Sequence, residues 1–121
     1  MPRYSIIHPS GVLHPAGALS AERWADLKPA TSTGTKFVVS KPDGTELTFW
    51  ADKHTEQVIR TLIERPLLSA SRCRLSQYTS HLRELGVAID TVGFRDHPTT
   101  GQRIYGMYEL ADKVNPIGGA E

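Results

Sequence analysis

The chain has 121 residues, a net charge of +1, 39% hydrophobic and 22% charged residues. This balance is typical of one globular domain, with or without a structured arm, and it excludes a disordered chain. A near-neutral charge without a basic tail means that any nucleic-acid site must come from local clustering of Arg and Lys.

Residues 1–35 are predicted to form an N-terminal arm, because they are rich in Pro, Ala, Gly, Ser and Thr. Within the arm, residues 4–13 are predicted to form a short hairpin around a Pro-Ser-Gly turn. Ser20 is placed as the cap of a short helix over residues 21–27, and residues 28–35 as a linker. We expect the arm to dimerise or to extend a sheet.

A clearer hairpin follows, in which residues 36–40 and 45–50 flank the turn sequence Lys-Pro-Asp-Gly. Asp52 is placed as the N-cap of a helix that runs to about Arg65, where a proline stops it. The apolar stripe of this helix is predicted to consist of Val58, Ile59, Leu62 and Ile63. The next five residues, 67–71, leave room for one helical turn at most.

A second amphipathic helix is predicted over residues 74–85, and Gly86 is placed to end it in the left-handed conformation. A strand over 87–92, a loop over 93–102 and a returning strand over 103–110 follow.

The sequence also predicts the extent of burial of two tryptophans and two tyrosines. Trp24 and Trp50 are interpreted as core residues. Tyr105 and Tyr108 lie three apart on a strand, so their side chains are predicted to point to opposite faces. One tyrosine is then expected to pack on the domain and the other to be exposed, either at an interface or along the DNA backbone.

The second helix has an unusual outward face. At 100° per residue, one narrow arc forms a core seam of Leu75, Tyr78, Leu82 and Leu85. The opposite arc and its flanks hold Ser76, Gln77, Ser80, His81, Arg83 and Glu84. Ser and Gln solubilise a helix less well than Glu or Lys, but both donate and accept hydrogen bonds to base edges and phosphates. This face therefore predicts contact with DNA.

The order helix, tight connection, helix, strand, loop, strand is that of a winged helix-turn-helix. Residues 74–91, followed by 101–110, resemble small winged-helix domains of phage, prophage and proteobacterial origin. The family pattern is Arg-Leu/Ile-Ser, then Leu-Arg-x-x-Gly-x-x-Ile, then a Gly-Lys/Arg turn that ends in Tyr-x-Leu. This chain has Gly-Gln-Arg at the turn. The resemblance covers residues 36–112 and implies sequence-linked DNA binding. The chain departs from the pattern at residues 67–72, where the usual first helix of the turn is compressed.

The predicted fold is therefore α+β, a winged helix-turn-helix over residues 36–114 with an N-terminal β-hairpin arm (1–35) and a disordered tail (115–121). The recognition helix is predicted at about 74–85 and the wing at about 93–103. The predicted DNA-binding side chains are Arg72, Arg74, Ser76, Gln77, Ser80, His81, Arg83, Arg95, Thr100 and Arg103.

We expect a cytoplasmic, sequence-specific DNA-binding protein, a small transcriptional regulator whose partner is double-stranded DNA. A homodimer is left open. The alternative is a winged-helix module that binds protein, either an adaptor or a phage-encoded modulator of a host protein.

Catalysis, cofactors, metals and membranes are not expected. The chain has neither a nucleophile elbow nor a Gly-rich phosphate loop, and its five histidines are scattered. Cys73 is the single cysteine, which excludes an intramolecular disulfide and a cysteine-based zinc site. We expect Cys73 to be a small buried hydrophobe.

Overall fold

The fold was analysed in a computed structural model that describes residues 4–7, 15, 17–69, 73–95 and 104–119. Its elements in chain order are β1 (Tyr4–Ile7), a 3₁₀ turn (Trp24–Asp26), β2 (Thr35–Ser40), β3 (Glu46–Ala51), α1 (Lys53–Glu64), β4 (Leu67–Leu68), α2 (Leu75–Glu84), β5 (Ile89–Arg95), β6 (Ile104–Leu110) and β7 (Lys113–Gly119). Two helices thus accompany two small sheets, and the predicted α+β class is confirmed.

The first sheet has the strand order β1-β5-β6-β4. Strands β5 and β6 form an antiparallel hairpin, paired from Ile89↔Leu110 to Arg95↔Ile104. The predicted returning strands are therefore present, but β5 begins two residues later than expected and extends through residues 93–95. Residues 96–103, which hold the rest of the predicted wing, lie outside the described residues.

Strand β4 lies in the segment 67–71, for which the sequence allowed one helical turn at most. Leu67 pairs with Tyr108, and Leu68 with Met107, in an antiparallel ladder with β6. Successive strand residues point to opposite faces, so each leucine is buried in a different apolar cluster. Among the described residues between α1 and α2, no first helix of a helix-turn-helix is present, and the order becomes helix, short strand, helix, hairpin.

The second sheet has the order β3-β2-β7. The predicted β2–β3 hairpin is confirmed, with pairs from Thr35↔Ala51 to Ser40↔Glu46. Strand β7 pairs antiparallel with the other edge of β2. The expectation of disorder from residue 115 onward was therefore wrong as far as Gly119. The segment Asn-Pro-Ile-Gly-Gly has a low intrinsic strand propensity. It is extended because it pairs with β2.

The two helices agree with the apolar patterns of the sequence. Helix α1 begins after Asp52 and ends at Glu64, with Arg65 as its C-cap directly before Pro66. Its stripe faces the core: Val58, Ile59 and Leu62 are buried, and Ile63 is half-buried. The seam of α2 does the same, with Leu75 and Leu82 buried and Tyr78 and Leu85 half-buried.

Two aromatic predictions need correction. Tyr105 and Tyr108 do point to opposite faces, but both are buried, with 4% and 8% exposure. The reason is a second apolar cluster on the far face of the first sheet, formed by Leu68, Val92, Phe94, Tyr105 and Met107. Trp50, expected in the core, is 50% exposed, whereas Trp24 packs against the main core.

The N-terminal residues contribute to the first sheet. Strand β1 pairs parallel with β5 and extends that sheet; the turn and second strand of the hairpin predicted there lie outside the described residues. The helix predicted over residues 21–27 was too long, because only Trp24–Asp26 is helical. The N-cap residue is Arg23 rather than Ser20, and the Asp26 carboxylate accepts the backbone N–H groups of Glu22 and Arg23.

Candidate nucleic-acid interface

Helix α2 presents a polar, nearly uncharged surface to solvent. Its exposed side chains are Ser76, Gln77, Ser80, His81 and Glu84. Glu84 carries the one formal charge among them when His81 is neutral. We call Ser76, Gln77 and Ser80 the reading face. Their hydroxyl and amide groups can donate and accept hydrogen bonds without a charge to desolvate.

A buried ionic contact holds the C-terminal end of α2. The Gly86 carbonyl accepts a hydrogen bond from Lys41 Nζ at 2.6 Å. The same ammonium group lies 2.5 Å from Asp112 Oδ2, and that carboxylate also accepts the Ala88 N–H at 2.8 Å. The Asp112 side chain is 4% exposed. The turn of the β2–β3 hairpin and the start of β7 thus both fix the position at which α2 ends.

Arg83 has a structural role on the inner flank of α2. Its guanidinium donates to the Ile89 carbonyl at 3.0 and 2.7 Å and to Thr91 Oγ1 at 3.0 Å. These bonds tie the helix to β5. A DNA contact by Arg83, as predicted from the sequence, would have to use its remaining donors, so we treat Arg83 as a positioning residue.

An aromatic cluster fixes the middle of α2 to α1 and to the 3₁₀ turn. Trp24 stacks on His54 with ring centroids 3.8 Å apart and planes 4° apart. Tyr78 meets both rings edge-on, and its hydroxyl lies 3.3 Å from His54 Nδ1. The sequence predicted Tyr78 as a core residue, but it held no signal that His54 and Trp24 would join it, since these residues are far apart in the chain.

Arg74 lies directly before α2 in a strained conformation. Its φ is 29° and its ψ 53°, and its side chain is exposed. Lys53, the first residue of α1, also has positive φ, 52°. An L-residue pays about 1–2 kcal/mol to adopt the left-handed region. Positive φ occurs at the start of both helices, so it does not by itself distinguish Arg74.

The β5–β6 hairpin brings Arg95 to the same side of the first sheet as α2. Thr91 contacts Arg83 of α2, and strand side chains alternate, so Arg95, four residues later, projects from the same face. The rise of a strand places it roughly 13 Å from Thr91. Arg95 is exposed. The other predicted contacts, Arg72, Thr100 and Arg103, lie outside the described residues.

The distribution of ion pairs leaves two arginines near α2 for an external partner. Lys28, Lys41 and Arg60 are paired with Glu64, Asp112 and Glu56. Within the described ranges, the side chains of Arg74 and Arg95 form no ion pair or hydrogen bond, although the Arg74 carbonyl accepts the Gln77 N–H. The positive charge of the candidate interface is therefore modest. It comes from Arg74 at the start of α2 and from Arg95 at the end of β5.

Other kinds of site have less support in the described part of the chain. No group of three metal-binding side chains occurs there, and no helix there is both long and apolar enough to cross a membrane. A cleft of about 370 Å³ lies between the end of α1 and the β6–β7 connection. Both signs of charge line it: Glu64, Arg65, Glu109, Asp112 and Lys113.

Comparison with known proteins gives no relative. No family model, curated protein or solved structure matches the chain.

Proposed function

We propose that the protein binds double-stranded DNA, with α2 in the major groove and the β5–β6 hairpin beside it as a wing. The observation that carries this proposal is the reading face, an exposed and uncharged hydrogen-bonding surface on a rigidly held helix. Base contacts need donors and acceptors held in a defined geometry. The Lys41–Asp112 contact, Arg83 and the Trp24–His54–Tyr78 cluster supply that rigidity.

The fold that we propose for this activity is a winged helix in which β4 stands where the first helix of the turn would be. The elements occur in the required order, α1, β4, α2, β5 and β6. Strand β4 pairs with β6 and forms one edge of the sheet that contains the hairpin. Arg95 lies on the α2 side of that sheet. One duplex could then contact the reading face through its bases and the hairpin through its phosphates.

Replacing Gln77 by alanine tests the reading face directly. We expect the free energy of binding to a preferred site to weaken by about 1–3 kcal/mol, with little change on random duplex, because a base contact specifies and a phosphate contact does not. The preferred site is first selected from random duplexes, and fluorescence anisotropy then measures both affinities. Asn115→Ala, which removes an exposed amide from the other sheet, is the matched control. Equal losses on both duplexes for Gln77→Ala would contradict base reading.

Replacing Arg74 by glycine should separate stability from binding. Glycine adopts positive φ without strain, so we expect the free energy of unfolding to rise by about 0.5–1 kcal/mol. We expect DNA affinity to fall on all sequences, because a phosphate contact is lost, and the salt slope to decrease by about one.

Lys53→Gly is the control for Arg74→Gly, because it relieves similar strain at the start of α1. It should stabilise the fold and leave DNA binding unchanged. Urea denaturation and anisotropy titrations at several salt concentrations measure both quantities. A stabilised Arg74→Gly variant with wild-type affinity would remove Arg74 from the interface.

The wing makes a separate prediction. Arg95→Ala and Arg103→Ala should weaken binding to specific and random DNA alike, and each should flatten the salt slope by about one unit. Titration of labelled duplex at several salt concentrations measures the slope. An unchanged slope in both variants would exclude the hairpin from the interface. If the protein instead binds a protein partner, none of the three arginine variants alters DNA affinity.

A further inference from the structure

Strand β3 forms an open edge of the second sheet. In the strand order β3-β2-β7, it pairs only with β2 among the described residues. An unpaired strand edge offers a row of N–H and C=O groups to another strand.

The hairpin turn determines which β3 groups point to this free edge. The Lys41 N–H donates to the Thr45 carbonyl, and the Gly44 N–H to the Lys41 carbonyl. Lys41 therefore occupies a hydrogen-bonded position opposite Gly44 and Thr45 together, as at a one-residue bulge. In an antiparallel ladder, hydrogen-bonded and non-hydrogen-bonded pairs alternate. It follows that Glu46, Thr48 and Trp50 direct their backbone groups away from β2.

The β3 edge lacks several of the features with which proteins protect sheet edges. The strand Glu-Leu-Thr-Phe-Trp-Ala has no proline, no lysine and a regular register with β2. The opposite edge of the same sheet differs, because β7 contains Pro116 and a register shift against β2. Such features normally keep edge strands from pairing with other chains, and Glu46 is the only charged side chain on β3.

The exposed sequence of β3 is complementary to itself. Suppose that the β3 strands of two copies pair antiparallel about a two-fold axis at Thr48. Thr48 of one copy then lies opposite Thr48 of the other, and Glu46 of each copy lies opposite Trp50 of the other. Trp50 is half exposed, packs on Gly34 and lies opposite Lys36 on the outer face. Lys36 of the other copy lies on the next strand beyond that Trp50, so the distance from Glu46 to Lys36 across the sheet would be roughly 10 Å, two strand spacings. The negative Glu46 and the positive Lys36 would therefore lie on either side of the Trp50 indole, and no two like charges would face each other across the new pairing.

We propose that two copies of this chain associate through β3, joining their three-stranded sheets into one continuous sheet with a two-fold axis at Thr48. This proposal goes beyond DNA binding and does not depend on it. If the proposed function also holds, the axis relates two α2 helices and the preferred site should have two symmetric halves.

A single engineered cysteine tests both the dimer and its register. At the axis, the two Thr48 Cα atoms would be about 5.5 Å apart, within the range that a disulfide spans. We expect Thr48→Cys in the full chain to form a covalent dimer under mild oxidation. Glu46→Cys is the matched control: its two copies would be roughly 14 Å apart and should not cross-link. The native Cys73 is buried and should not interfere.

A proline variant then tests the hydrogen bonds. The Thr48 N–H points away from β2, so Thr48→Pro should leave the hairpin intact, as proline does on an edge strand. We expect sedimentation equilibrium to show a wild-type dimer and a dissociation constant at least about tenfold higher for Thr48→Pro. Circular dichroism checks that the variant is folded. A monomeric wild type up to about 100 µM, or cross-linking of both cysteine variants alike, would overturn the proposal. So would a folded Thr48→Pro variant with the wild-type dissociation constant.

Discussion

Replacing Glu56 by leucine should lower the free energy of unfolding by about 3 kcal/mol, because it leaves a partly buried arginine without its counter-ion. The Glu56 side chain is fully buried, and Arg60 Nε lies 2.7 Å from its Oε2. The Thr35 hydroxyl donates to the same oxygen at 2.8 Å. Thr31 donates its N–H at 3.2 Å and its hydroxyl at 3.1 Å. All these donors would lose their acceptor.

The Glu56 contacts also explain why residues 28–35 are not a free linker. The two threonines attach this segment to α1, and the Lys28 N–H donates to Thr61 Oγ1 on the same helix. Arg60 completes the arrangement by donating to Thr35 Oγ1 and lying over the Phe37 ring, 5.6 Å from its centre. A buried carboxylate thus binds the N-terminal part of the chain to the rest of the fold.

Two variants show whether the loss comes from the buried ion pair. Glu64→Leu removes a carboxylate of the same helix whose pair with Lys28 is about half exposed, and should cost at most about 1 kcal/mol. Glu56→Leu combined with Arg60→Met removes both charges and should recover part of the loss. Urea denaturation measures all of them. If Glu56→Leu costs no more than Glu64→Leu, the buried contact does not stabilise the fold.

The pH dependence provides a second measurement of the same contact. Burial would raise the pKa of Glu56, but the hydrogen bonds from Arg60, Thr35 and Thr31 outweigh it and hold this pKa below the ordinary value of 4.5. The unfolded state therefore binds the proton more readily, and the stabilisation is complete above about pH 4.5 and is lost as pH falls through the lowered pKa. Glu56→Gln should flatten the decrease in stability below about pH 4.5.

Local signals in the sequence were sufficient for the β2–β3 hairpin and for both helices. Lys-Pro-Asp-Gly marks the turn, Pro66 stops α1, and Gly86 follows the end of α2 with φ of 104°. Each signal acts within a few residues, so it can be recognised without knowing the fold. The same holds for the reading face, since helical periodicity alone separates Gln77 from the Leu75–Leu82 seam.

The missed features all depend on partners distant in sequence. Leu67-Leu68 and residues 113–119 are strands only because β6 and β2 provide ladders for them. Glu56 has the spacing of an ordinary surface i,i+4 pair with Arg60, and only Thr31 and Thr35, which cover it, reveal that it is buried. The sequence predicted that Arg83 contacts DNA, because a helical pattern does not reveal the hydrogen-bond acceptors on β5 that Arg83 uses.

Gly86→Val should lower the free energy of unfolding by more than about 2 kcal/mol, the second-largest effect that we expect. At φ of 104°, a residue with a side chain is strained by about 1–2 kcal/mol, and a β-branched residue by more. A Cβ at this position would also lie 2.8 Å from Leu47 Cδ1. Leu47 is partly exposed and can move, so backbone strain should dominate the cost.

A series of substitutions can separate the strain from the contact. Asparagine tolerates positive φ better than other residues, so Gly86→Asn should cost least, Gly86→Ala more and Gly86→Val most. Gly44 is the matched control, because its φ is 92° and, apart from its chain neighbours, no atom of the described residues lies within 4 Å of an added Cβ. Gly44→Val should therefore show the strain without the Leu47 contact, and its cost should be smaller.

Only the Gly86 variants should also weaken DNA binding, since the Gly86 carbonyl holds the end of α2 to Lys41. Denaturation and anisotropy titrations give both quantities, and equal costs for asparagine and valine at position 86 would show that positive φ does not control the end of the helix.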